Sequence, residues 1–318
     1  MEPPEKVQTS KHVRYVTPLR YPGGKSKLAG FVRTLLEKND LAGGTYVEPF
    51  AGGASIAISL LLSDHVAKVH INDLDLSIYA FWHSVIHETE ALCRLIRNKR
   101  ISVAEWRRQH LVQRNRDSHD LLGLGFSTFF LNRTNRSGII CSGGMIGGAN
   151  QNGKWKLDAR FNKHELVQRI ERIASLQNRI TIHREDAEHL LQHLLPLLPQ
   201  KTLVYLDPPY YVKGQRRLYA NFYQHNDHER IAGIMRTTRT PWLVSYDDQP
   251  EIQDLYRDFR SCRYRLTYTV RERAEGSEVL FFSNGLSIPG TLFGSFQAIT
   301  CRPRQHEMPT PRSTTTHG

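Results

Sequence analysis

The chain has 318 residues, 39% of them hydrophobic, and its 43 Lys or Arg against 31 Asp or Glu give a formal net charge of +12. This length suits one large core, or a core with an inserted unit, and the apolar content excludes a disordered chain. No apolar run approaches the ~18–20 residues of a transmembrane helix, and the opening MEPPEKVQTSKH lacks the apolar segment of a secretion signal. We therefore expect a globular, cytoplasmic or nucleoid-associated protein without a membrane partner.

The four cysteines are scattered along the chain, with no CxxC pair and no His at ligand spacing. Zinc sites and disulfide frameworks both show recognisable cysteine spacings. We therefore expect no metal site and no disulfide, and we interpret the cysteines as buried or idle thiols.

Positive charge is concentrated in one stretch of the chain. Residues 94–136 carry ten Lys or Arg against three Asp or Glu. A basic cluster of this density suits a polyphosphate partner such as nucleic acid, because each neutralised phosphate releases condensed counterions. A solvated surface that only keeps the protein soluble is the alternative, and charge alone leaves the two interpretations about equal.

The first motif in chain order is RYPGGKSKL, residues 20–28, in which Gly24-Lys25-Ser26 is similar to the end of a phosphate-binding loop. Such a loop needs a glycine five residues before Gly24, and that position is Leu19. The spacing argues against a nucleotide-hydrolysing loop, so Lys25 is expected to serve another anionic ligand.

The second motif, TYVEPFAGGASIAISL, predicts a short strand at Thr45–Val47, an acidic residue, a glycine-rich turn and a helix. A turn of this kind lets the backbone approach a nucleotide-like ligand that faces a helix N-terminus. About twenty residues further, the predicted strand Val66–Ile71 ends at Asn72-Asp73, where a carboxylate can accept hydrogen bonds from ribose hydroxyls. Alone, these features fit NAD, FAD or S-adenosylmethionine equally.

Residues 76–177 interrupt the alternation of strands and helices. Residues 76–130 carry a helical pattern, and residues 137–161 are rich in Gly and Asn, which is typical of a hairpin or a long loop. Since this interval also holds the basic cluster, we predict an inserted recognition domain, largely helical with a hairpin. The predicted organisation is a core in two parts, 1–75 and 178–300, an insert at 76–177 and a disordered tail at 301–318.

Apolar runs after the insert predict further strands at Ile180–His183, Leu203–Leu206, Trp242–Ser245 and Glu278–Ser283. Strands separated by amphipathic helices are typical of a mostly parallel sheet that binds ligands at the carboxyl ends of its strands. We therefore expect an α/β protein with a Rossmann-like core.

The stretch LVYLDPPYY, residues 203–211, narrows the choice of chemistry. Two consecutive prolines fix the backbone, so the Asp207 carboxylate and the Pro208 carbonyl take defined positions at the end of a strand. Together they form an acceptor pair suited to an amino group, and Tyr210 offers a stacking face. These residues would be an unusual choice for a plain loop after a buried strand.

In this combination the sequence resembles the Dam-type (alpha-class) DNA adenine-N6 methyltransferases, over nearly all of residues 18–285. The resemblance rests on Tyr21-Pro22-Gly23-Gly24-Lys25, Glu48-Pro49-Phe50-Ala51-Gly52-Gly53, Asn72-Asp73, Phe130-Leu131-Asn132-Arg133, Asp186, Asp207-Pro208-Pro209-Tyr210 and Glu278-Val279-Leu280. It implies an S-adenosylmethionine-dependent Rossmann-like core with a DNA-recognition insert. It also implies methyl transfer to N6 of an adenine flipped out of double-stranded DNA, without a metal.

The resemblance also implies roles for individual residues. Cofactor-binding roles fall on Tyr21, Lys25, Glu48, Phe50, Gly52, Asp73, Asp186, Ala187 and Asp207, with Tyr21 and Lys25 at the methionine end of the cofactor. Catalytic roles fall on Asp207, Pro208, Pro209 and Tyr210. With an ordinary pKa near ~3.9, Asp207 would orient N6 and would not store its proton, while Tyr210 would stack on the base.

Four residues near the end of the helical stretch carry donors suited to DNA: Asn132, Arg133, Asn135 and Arg136. Amide and guanidinium groups read purine edges or clamp phosphates, although polar residues also occur at helix ends for structural reasons. Tyr219, in LYANFY, resembles the family segment that follows Asp-Pro-Pro-Tyr. The glycine-heavy CSGGMIGGANQNGKWKLDARFN departs from family members that recognise GATC, so the target sequence stays open.

Two other interpretations remain. An RNA or protein methyltransferase with the same core is the nearest, although those enzymes more often resemble an Asn-Pro-Pro-Tyr form. A catalytically silent DNA-binding module would keep the fold without the transfer, and the intact acidic motif argues against it. The prediction is a site-specific, adenine-specific DNA methyltransferase of a bacterial or phage restriction-modification type, with a cognate restriction or defence component as a further partner to test.

Overall fold

The computed structural model describes residues 16–20, 25, 28–211, 223–266, 276–289 and 298–302. Within these residues a single eight-stranded sheet forms the centre of the protein. Its strands are β1 (Thr45–Glu48), β2 (Lys68–Asn72), β3 (Ile180–His183), β4 (Thr202–Leu206), β5 (Trp242–Asp247), β6 (Arg260–Leu266), β7 (Gly276–Phe282) and β8 (Ala298–Arg302).

The strand order is β3-β2-β1-β4-β5-β7-β6-β8. The first five strands pair in parallel, and β7, β6 and β8 extend the sheet in antiparallel pairing. The carboxyl ends of β1, β2, β4 and β5 therefore meet at one edge, which is where open α/β sheets bind ligands. The predicted α/β class with a mostly parallel sheet fits this architecture.

Helices cover both faces of the sheet in the part of the chain that the structure describes. They are α1 (Ala29–Lys38), α2 (Ser55–Leu62), α3 (Leu76–His87), α4 (Thr89–Asn98), α5 (Val103–Arg114), α6 (Leu121–Thr134), α7 (Lys163–Ala174), α8 (Ala187–Leu194), α9 (His225–Thr237) and α10 (Pro250–Leu255). Tyr46 and Val47 are neighbours on β1 but belong to different apolar clusters, because successive strand side chains point to opposite faces.

The helices of the 76–177 interval share a core with the sheet. One apolar cluster joins Tyr46 and Val69 of the sheet to Phe81, Phe129 and Ile170 of α3, α6 and α7. Apolar burial is thus continuous across the predicted boundaries, which separate sequence patterns and not two independent cores. The division into a core and a recognition insert therefore remains a proposal about function.

Two helices of the 76–177 interval, α3 and α6, pack closely against each other. At Gly125 of α6, an added Cβ would lie 2.4 Å from Oγ of Ser84 and 2.5 Å from the carbonyl oxygen of Ala80, both on α3. Glycine is therefore required for this approach of the two helices.

The predicted hairpin at 137–161 does not form. All of these residues are described, and the nearest ladder contact is a single isolated bridge between Asn135 and Met145. Positive φ angles at Gly147 (83°), Gly148 (75°) and Gln151 (52°) turn the chain repeatedly and break any extended run. The Gln151 amide also donates to the carbonyl oxygens of Ile146 and Gly148, so the segment is a loop of turns.

The C-terminal part differs from the prediction in two respects. Strand β8 extends through Arg302, so the expected tail cannot begin at residue 301, and residues 303–318 lie outside the described residues. Cys262 on β6 is disulfide-bonded, so the expectation of no disulfide was wrong. The register of β6 and β8 places residue 301 opposite residue 262 in the sheet.

Candidate active site

The glycine-rich turn after β1 is held by side chains from two directions. Gly52 and Ala54 take left-handed φ angles of 47° and 44°. The backbone N–H of Gly52 donates to Oδ2 of Asp73 at 2.9 Å, and Nε1 of Trp82 donates to the carbonyl oxygen of Gly52 at 2.9 Å. The other oxygen of Asp73 accepts from the backbone N–H of Asp75 at 2.9 Å. Asp73 therefore ties the glycine-rich turn after β1 to the residues that follow β2.

The carboxyl of Asp73 is perturbed by this position. Burial raises the pKa of Asp73 to about 7, although two backbone N–H groups oppose the rise. A carboxylate has about four acceptor positions, so two backbone contacts leave capacity for hydroxyl donors.

Glu48 supports the same turn from the end of β1. Its carboxyl is buried, and Oε1 accepts from the backbone N–H of Ala57 in the first turn of α2 at 3.0 Å. Burial raises the pKa of Glu48 to about 8. Glu48 therefore satisfies an otherwise unpaired N–H of the helix, mainly as a neutral acid near pH 7.

Asn72 joins the turns that follow β1 and β3. Its amide donates to the carbonyl oxygens of Pro49 and Glu185, and its Oδ1 accepts from the backbone N–H of Glu185. Asp186 and Ala187, which follow Glu185, therefore lie close to the glycine-rich turn that follows β1. Asp186 caps α8 through the N–H of Glu188 and is exposed, whereas Ala187 is buried.

Two aromatic side chains pack against each other beside these turns. The rings of Phe50 and Tyr223 meet edge to face, with centroids 5.5 Å apart. Burial raises the pKa of Tyr223, and the nearby carboxylate of Asp186 adds to the rise. Tyr223 thus lies beside Phe50 and near Asp186, two residues to which the family resemblance assigns cofactor binding, and the sequence motifs did not single it out. An aromatic residue shortly after Asp-Pro-Pro-Tyr was the available signal.

A cluster of charged and phenolic groups lies at the carboxyl end of β4. Nζ of Lys25 donates to Oε2 of Glu278 at 2.5 Å and to the hydroxyl of Tyr210 at 2.5 Å. The same Nζ lies 3.7 Å from Oδ1 of Asp207. The structure thus brings Lys25, Asp207 and Tyr210 together from distant parts of the sequence.

Glu278 is the centre of this cluster. It accepts from Lys25, from the hydroxyl of Tyr210 at 2.5 Å and from the hydroxyl of Tyr264 at 2.5 Å, and it is fully buried. Burial by itself would raise the pKa of Glu278, but Lys25 and the two tyrosine hydroxyls outweigh burial and lower it. Glu278 is therefore ionised at neutral pH. In the sequence, Glu278 is recognisable only as part of a predicted strand.

Asp207 differs from Glu278 in having an acceptor without a donor. Its side chain is about one quarter exposed (25%), but Oδ1 is buried and accepts no hydrogen bond from any described residue. Burial raises the pKa of Asp207 to about 6, with Lys25 opposing the rise and Glu278 adding to it. The premise of an ordinary pKa for Asp207 was therefore wrong.

The two prolines and the two tyrosines that follow Asp207 lie next to this cluster. Pro208 is buried, Pro209 is half-buried, and the Nζ of Lys25 lies 5.0 Å from the centre of the Tyr210 ring. The next residue is anchored as well, because the backbone N–H of Tyr211 donates to Oδ1 of Asp247 at 2.9 Å.

Two residues expected to contact DNA are engaged inside the protein. Asn132 is buried. Its amide donates to the carbonyl oxygens of Arg20 and Gly138, and its Oδ1 accepts from the N–H of Arg20. Asn135 is also buried, and it donates to the carbonyl oxygens of Ile139 and Ile140. Trp106 of α5 donates to the Oδ1 of Asn135 at 2.6 Å.

The two arginines of the same group differ in exposure. Arg133 is largely buried. Burial, together with the nearby Arg169 and Arg20, lowers its pKa to about 9. Arg136 is exposed at the start of the glycine-rich loop. Tyr21 and Tyr219 lie outside the described residues, so the structure gives them no position.

An exposed aromatic residue in the loop was not predicted. The side chain of Trp155 is 61% exposed, and Lys154 and Arg160 both lie 5.9 Å from its ring centre. An aromatic ring among cations is a common element of surfaces that bind nucleic acid. The letters GKWK in the sequence were the signal for it.

The described residues contain neither a helix suited to cross a membrane nor a cluster suited to hold a metal ion. None of the helices there combines the length and the hydropathy needed to cross a bilayer. Likewise, the described part of the chain holds no group of three or more His, Cys, Asp or Glu suited to a metal ion.

Comparison with known proteins identifies the family of the chain. The family model for D12 class N6 adenine-specific DNA methyltransferases matches residues 21–270. The Type II methyltransferase M.MjaIII of Methanocaldococcus jannaschii is 23% identical over 230 residues, which cover 67% of this chain and 76% of that protein. A solved structure, protein LPL1258 of Legionella pneumophila str. Philadelphia 1, covers 86% of both chains at 10% identity. The TM-score of this match is 0.30.

The mostly parallel sheet, with the glycine-rich turn and the Asp-Pro-Pro-Tyr cluster at the carboxyl ends of its strands, fits a methyltransferase fold. More narrowly, the chain belongs to the D12 class N6 adenine-specific DNA methyltransferase family. The predicted family, the enzyme class and the methylation of adenine N6 in DNA are thereby confirmed. Membership in the family implies S-adenosylmethionine as the methyl donor and DNA as the substrate.

Proposed function

We propose that this site-specific enzyme methylates an adenine that has left a DNA duplex, and that Asp207 is the residue that orients N6. The observation that carries the proposal is the buried Oδ1 of Asp207, to which no described residue donates a hydrogen bond. A buried acceptor without a donor costs on the order of 1–3 kcal/mol. Buried polar atoms in folded proteins nearly always have a hydrogen-bond partner, and a bound ligand can supply the donor that Oδ1 of Asp207 lacks. The amino group of adenine is a donor of this kind.

The turns after β1, β2 and β3 fit the methyl donor. The left-handed turn at Gly52 brings the backbone close to a ligand, and Asp73 keeps acceptor capacity for ribose hydroxyls. Phe50 and Tyr223 provide apolar faces for an adenine ring beside Asp186. Bound at this edge, S-adenosylmethionine supplies a methyl group activated by its sulfonium charge. Tyr21, Glu48 and Ala187 keep the binding or supporting roles that the family resemblance implies.

The charge of the cluster also suits a cationic ligand. One ammonium, from Lys25, stands between the carboxylates of Asp207 and Glu278, which leaves one net negative charge when all three are ionised. A buried negative charge attracts a sulfonium more strongly than it would in water. Because Lys25 is paired with Glu278, we assign it to this cluster and not to the carboxylate at the methionine end of the cofactor.

Catalysis would rest on position and charge. The N6 lone pair of adenine is conjugated with the ring, and acceptors at Asp207 and the Pro208 carbonyl would turn the amino group so that the lone pair leaves the conjugated plane. Tyr210 would stack on the base. The proton released from N6 would pass to Asp207, because a pKa of about 6 is close enough to neutral pH for effective proton acceptance.

Double-stranded DNA would be held by the insert. The outer face of α5 presents the exposed side chains of Arg107 and Arg114, and Arg136 and Trp155 are exposed on the loop that follows α6. Arginines there would contact phosphates or base edges, and Trp155 would stack on an unpaired or end-exposed base. Asn132 and Asn135 would act indirectly, by holding the start of this loop in place.

The proposal is tested by incubating the protein with labelled S-adenosylmethionine and mixed-sequence duplex DNA, with RNA and a protein mixture as parallel acceptors. We expect N6-methyladenine in the DNA and no label in the other two. A DNA product without N6-methyladenine would reject the proposal. DNA binding that persists in Asp207→Ala while methylation is lost would separate binding from transfer.

The setting of the enzyme is part of the proposal. The similarity to a protein named as a type II methyltransferase favours a bacterial or phage restriction-modification role, in the cytoplasm at the nucleoid. A cognate restriction or defence component would be the partner. Sequencing of DNA methylation in cells that express this gene alone would give the target sequence. Loss of viability when the gene is deleted beside an intact nuclease gene would identify the partner.

A further inference from the structure

The site holds one cation for two carboxylates. Nζ of Lys25 lies 2.5 Å from Oε2 of Glu278 and 3.7 Å from Oδ1 of Asp207, so its hydrogen bond goes to Glu278. Lys25 and Glu278 are both almost fully buried. A buried ammonium needs a close carboxylate, and without Glu278 the nearest one is Asp207.

We propose that Glu278 is a positioning residue for methyl transfer: it holds Lys25 away from Asp207 and so keeps Oδ1 of Asp207 open for the amino group of adenine. This inference rests on the proposed role of Asp207. It assigns a function to a residue outside the glycine turn and the Asp-Pro-Pro-Tyr motif.

The geometry around Glu278 supports this assignment. The Oε2 atom that accepts from Lys25 also accepts from Tyr264 on β6, and Oε1 accepts from Tyr210. Three donors from three separate segments fix both carboxylate oxygens, so the carboxylate cannot rotate without losing hydrogen bonds. Lys25 is therefore bound to a fixed point, whereas Asp207 keeps an acceptor without a donor among the described residues.

The consequence of losing the charge at Glu278 follows from electrostatics. A neutral glutamine would leave Lys25 with one carboxylate in reach, and the ammonium would move toward Asp207. The donor group of Lys25 would then occupy the acceptor that N6 needs. Glu278 also raises the pKa of Asp207 and Lys25 lowers it, so both changes would lower the pKa of Asp207.

Other groups near Asp207 must be considered in any pH measurement. Six titratable groups among the described residues interact electrostatically with Asp207. They are Lys25, which lies outside the strands, Tyr46 and Glu48 on β1, Tyr205 on β4, Tyr264 on β6 and Glu278 on β7. Burial raises the pKa of each of the three buried tyrosines, so they stay neutral across the acidic range. Glu48 titrates near pH 8, which lies above the acid limb that Asp207 controls.

The experiment compares Glu278→Gln, Lys25→Met and the Lys25→Met/Glu278→Gln double variant with the unchanged protein. We expect Glu278→Gln to lower kcat roughly 100-fold, the size of loss seen when a preorganised group at a reacting centre is removed. In the double variant no ammonium can reach Asp207. Its kcat should therefore recover to several times that of Glu278→Gln, a non-additive result that a double-mutant cycle measures.

Two further measurements separate this role from a merely structural one. The acid limb of kcat/KM should move to lower pH in Glu278→Gln, because the pKa of Asp207 falls. Calorimetric titration of S-adenosylmethionine without DNA, together with thermal unfolding, shows whether each variant is folded and binds the methyl donor. Tyr264→Phe removes one donor to Glu278 but no charge, and we expect it to change kcat less than tenfold.

The outcomes are distinct. A double variant that is folded and binds S-adenosylmethionine, yet is no more active than Glu278→Gln, would overturn the role of Glu278. An acid limb that stays at the same pH in Glu278→Gln would do the same. If the unchanged protein produces no N6-methyladenine, the proposed function fails instead, and that result is visible before any variant is made.

Discussion

Two regions of this protein carry polar residues that the sequence marked as functional, and they use them in opposite ways. In the cluster at the end of β4, Lys25, Glu278 and Tyr210 bind one another and leave Oδ1 of Asp207 without a donor among the described residues. At the end of α6, the side-chain amides of Asn132 and Asn135 donate hydrogen bonds to backbone carbonyl oxygens. A site for a ligand is therefore recognised by what the fold leaves unpaired, and residue type alone does not show it.

The largest effect that would test this comparison is expected at Asp207. Asp207→Ala should lower kcat by ~10³-fold or more, because it removes the acceptor that orients N6 and takes its proton. Its unfolding free energy should be unchanged or slightly higher, since a buried unpaired acceptor is lost. Single-turnover methylation and chemical denaturation measure the two quantities. A fall in stability that matches the fall in activity would erase the contrast between the two regions.

Asn132 should show the reverse pattern. Asn132→Ala removes three hydrogen bonds to backbone groups of Arg20 and Gly138, which should lower the unfolding free energy by about 2–4 kcal/mol. Denaturant unfolding measures this loss. Asn150→Ala, at an exposed position, is the matched control and should change stability by less than about 0.5 kcal/mol. An Asn132→Ala protein of normal stability but lost DNA affinity would return Asn132 to the DNA interface.

Trp155 is predicted to matter for DNA and for little else. Trp155→Ala should weaken DNA binding about tenfold, because stacking of one base on an aromatic side chain contributes about 1–3 kcal/mol. Fluorescence anisotropy with a labelled duplex measures the affinity, and S-adenosylmethionine binding should be unaffected. Leu197→Ala, another exposed apolar position, serves as the control. Equal DNA affinity in Trp155→Ala and the unchanged protein would remove Trp155 from the interface.

The effect expected for Glu48→Gln depends on pH. The pKa of Glu48 is raised to about 8 in the folded protein. Between pH ~4.5 and 8 the unfolded chain has lost this proton while the folded protein keeps it, so the contribution of Glu48 to stability falls as pH rises. Glu48→Gln removes this dependence and should gain stability relative to the unchanged protein from pH 5 to pH 8. Thermal unfolding across this range measures the difference, and a gap that narrows with rising pH would contradict the assigned pKa.

Much of the core could be predicted because local sequence carries the signal. Strand β3 was predicted with its observed bounds, and five other predicted strands overlap observed ones. Strands β6 and β8 were missed, because both pair only at the antiparallel edge and neither ends in a recognisable motif. For residues 137–161 the richness in Gly and Asn left a hairpin and a long loop equally open, and the structure has the loop, with left-handed φ angles at Gly147 and Gly148.

By itself, the sequence determined the family, the chemistry and the edge of the sheet where the motifs meet, because strand, turn and helix signals are local. The tertiary structure decided which charged groups pair. Lys25 and Glu278 are separated by 253 positions, and only the folded sheet brings Nζ and Oε2 to 2.5 Å. It also decided that no described residue donates a hydrogen bond to Oδ1 of Asp207, whereas the side-chain amide of Asn132 donates to backbone carbonyls. Pairing depends on distances across the fold, and no local pattern encodes those distances.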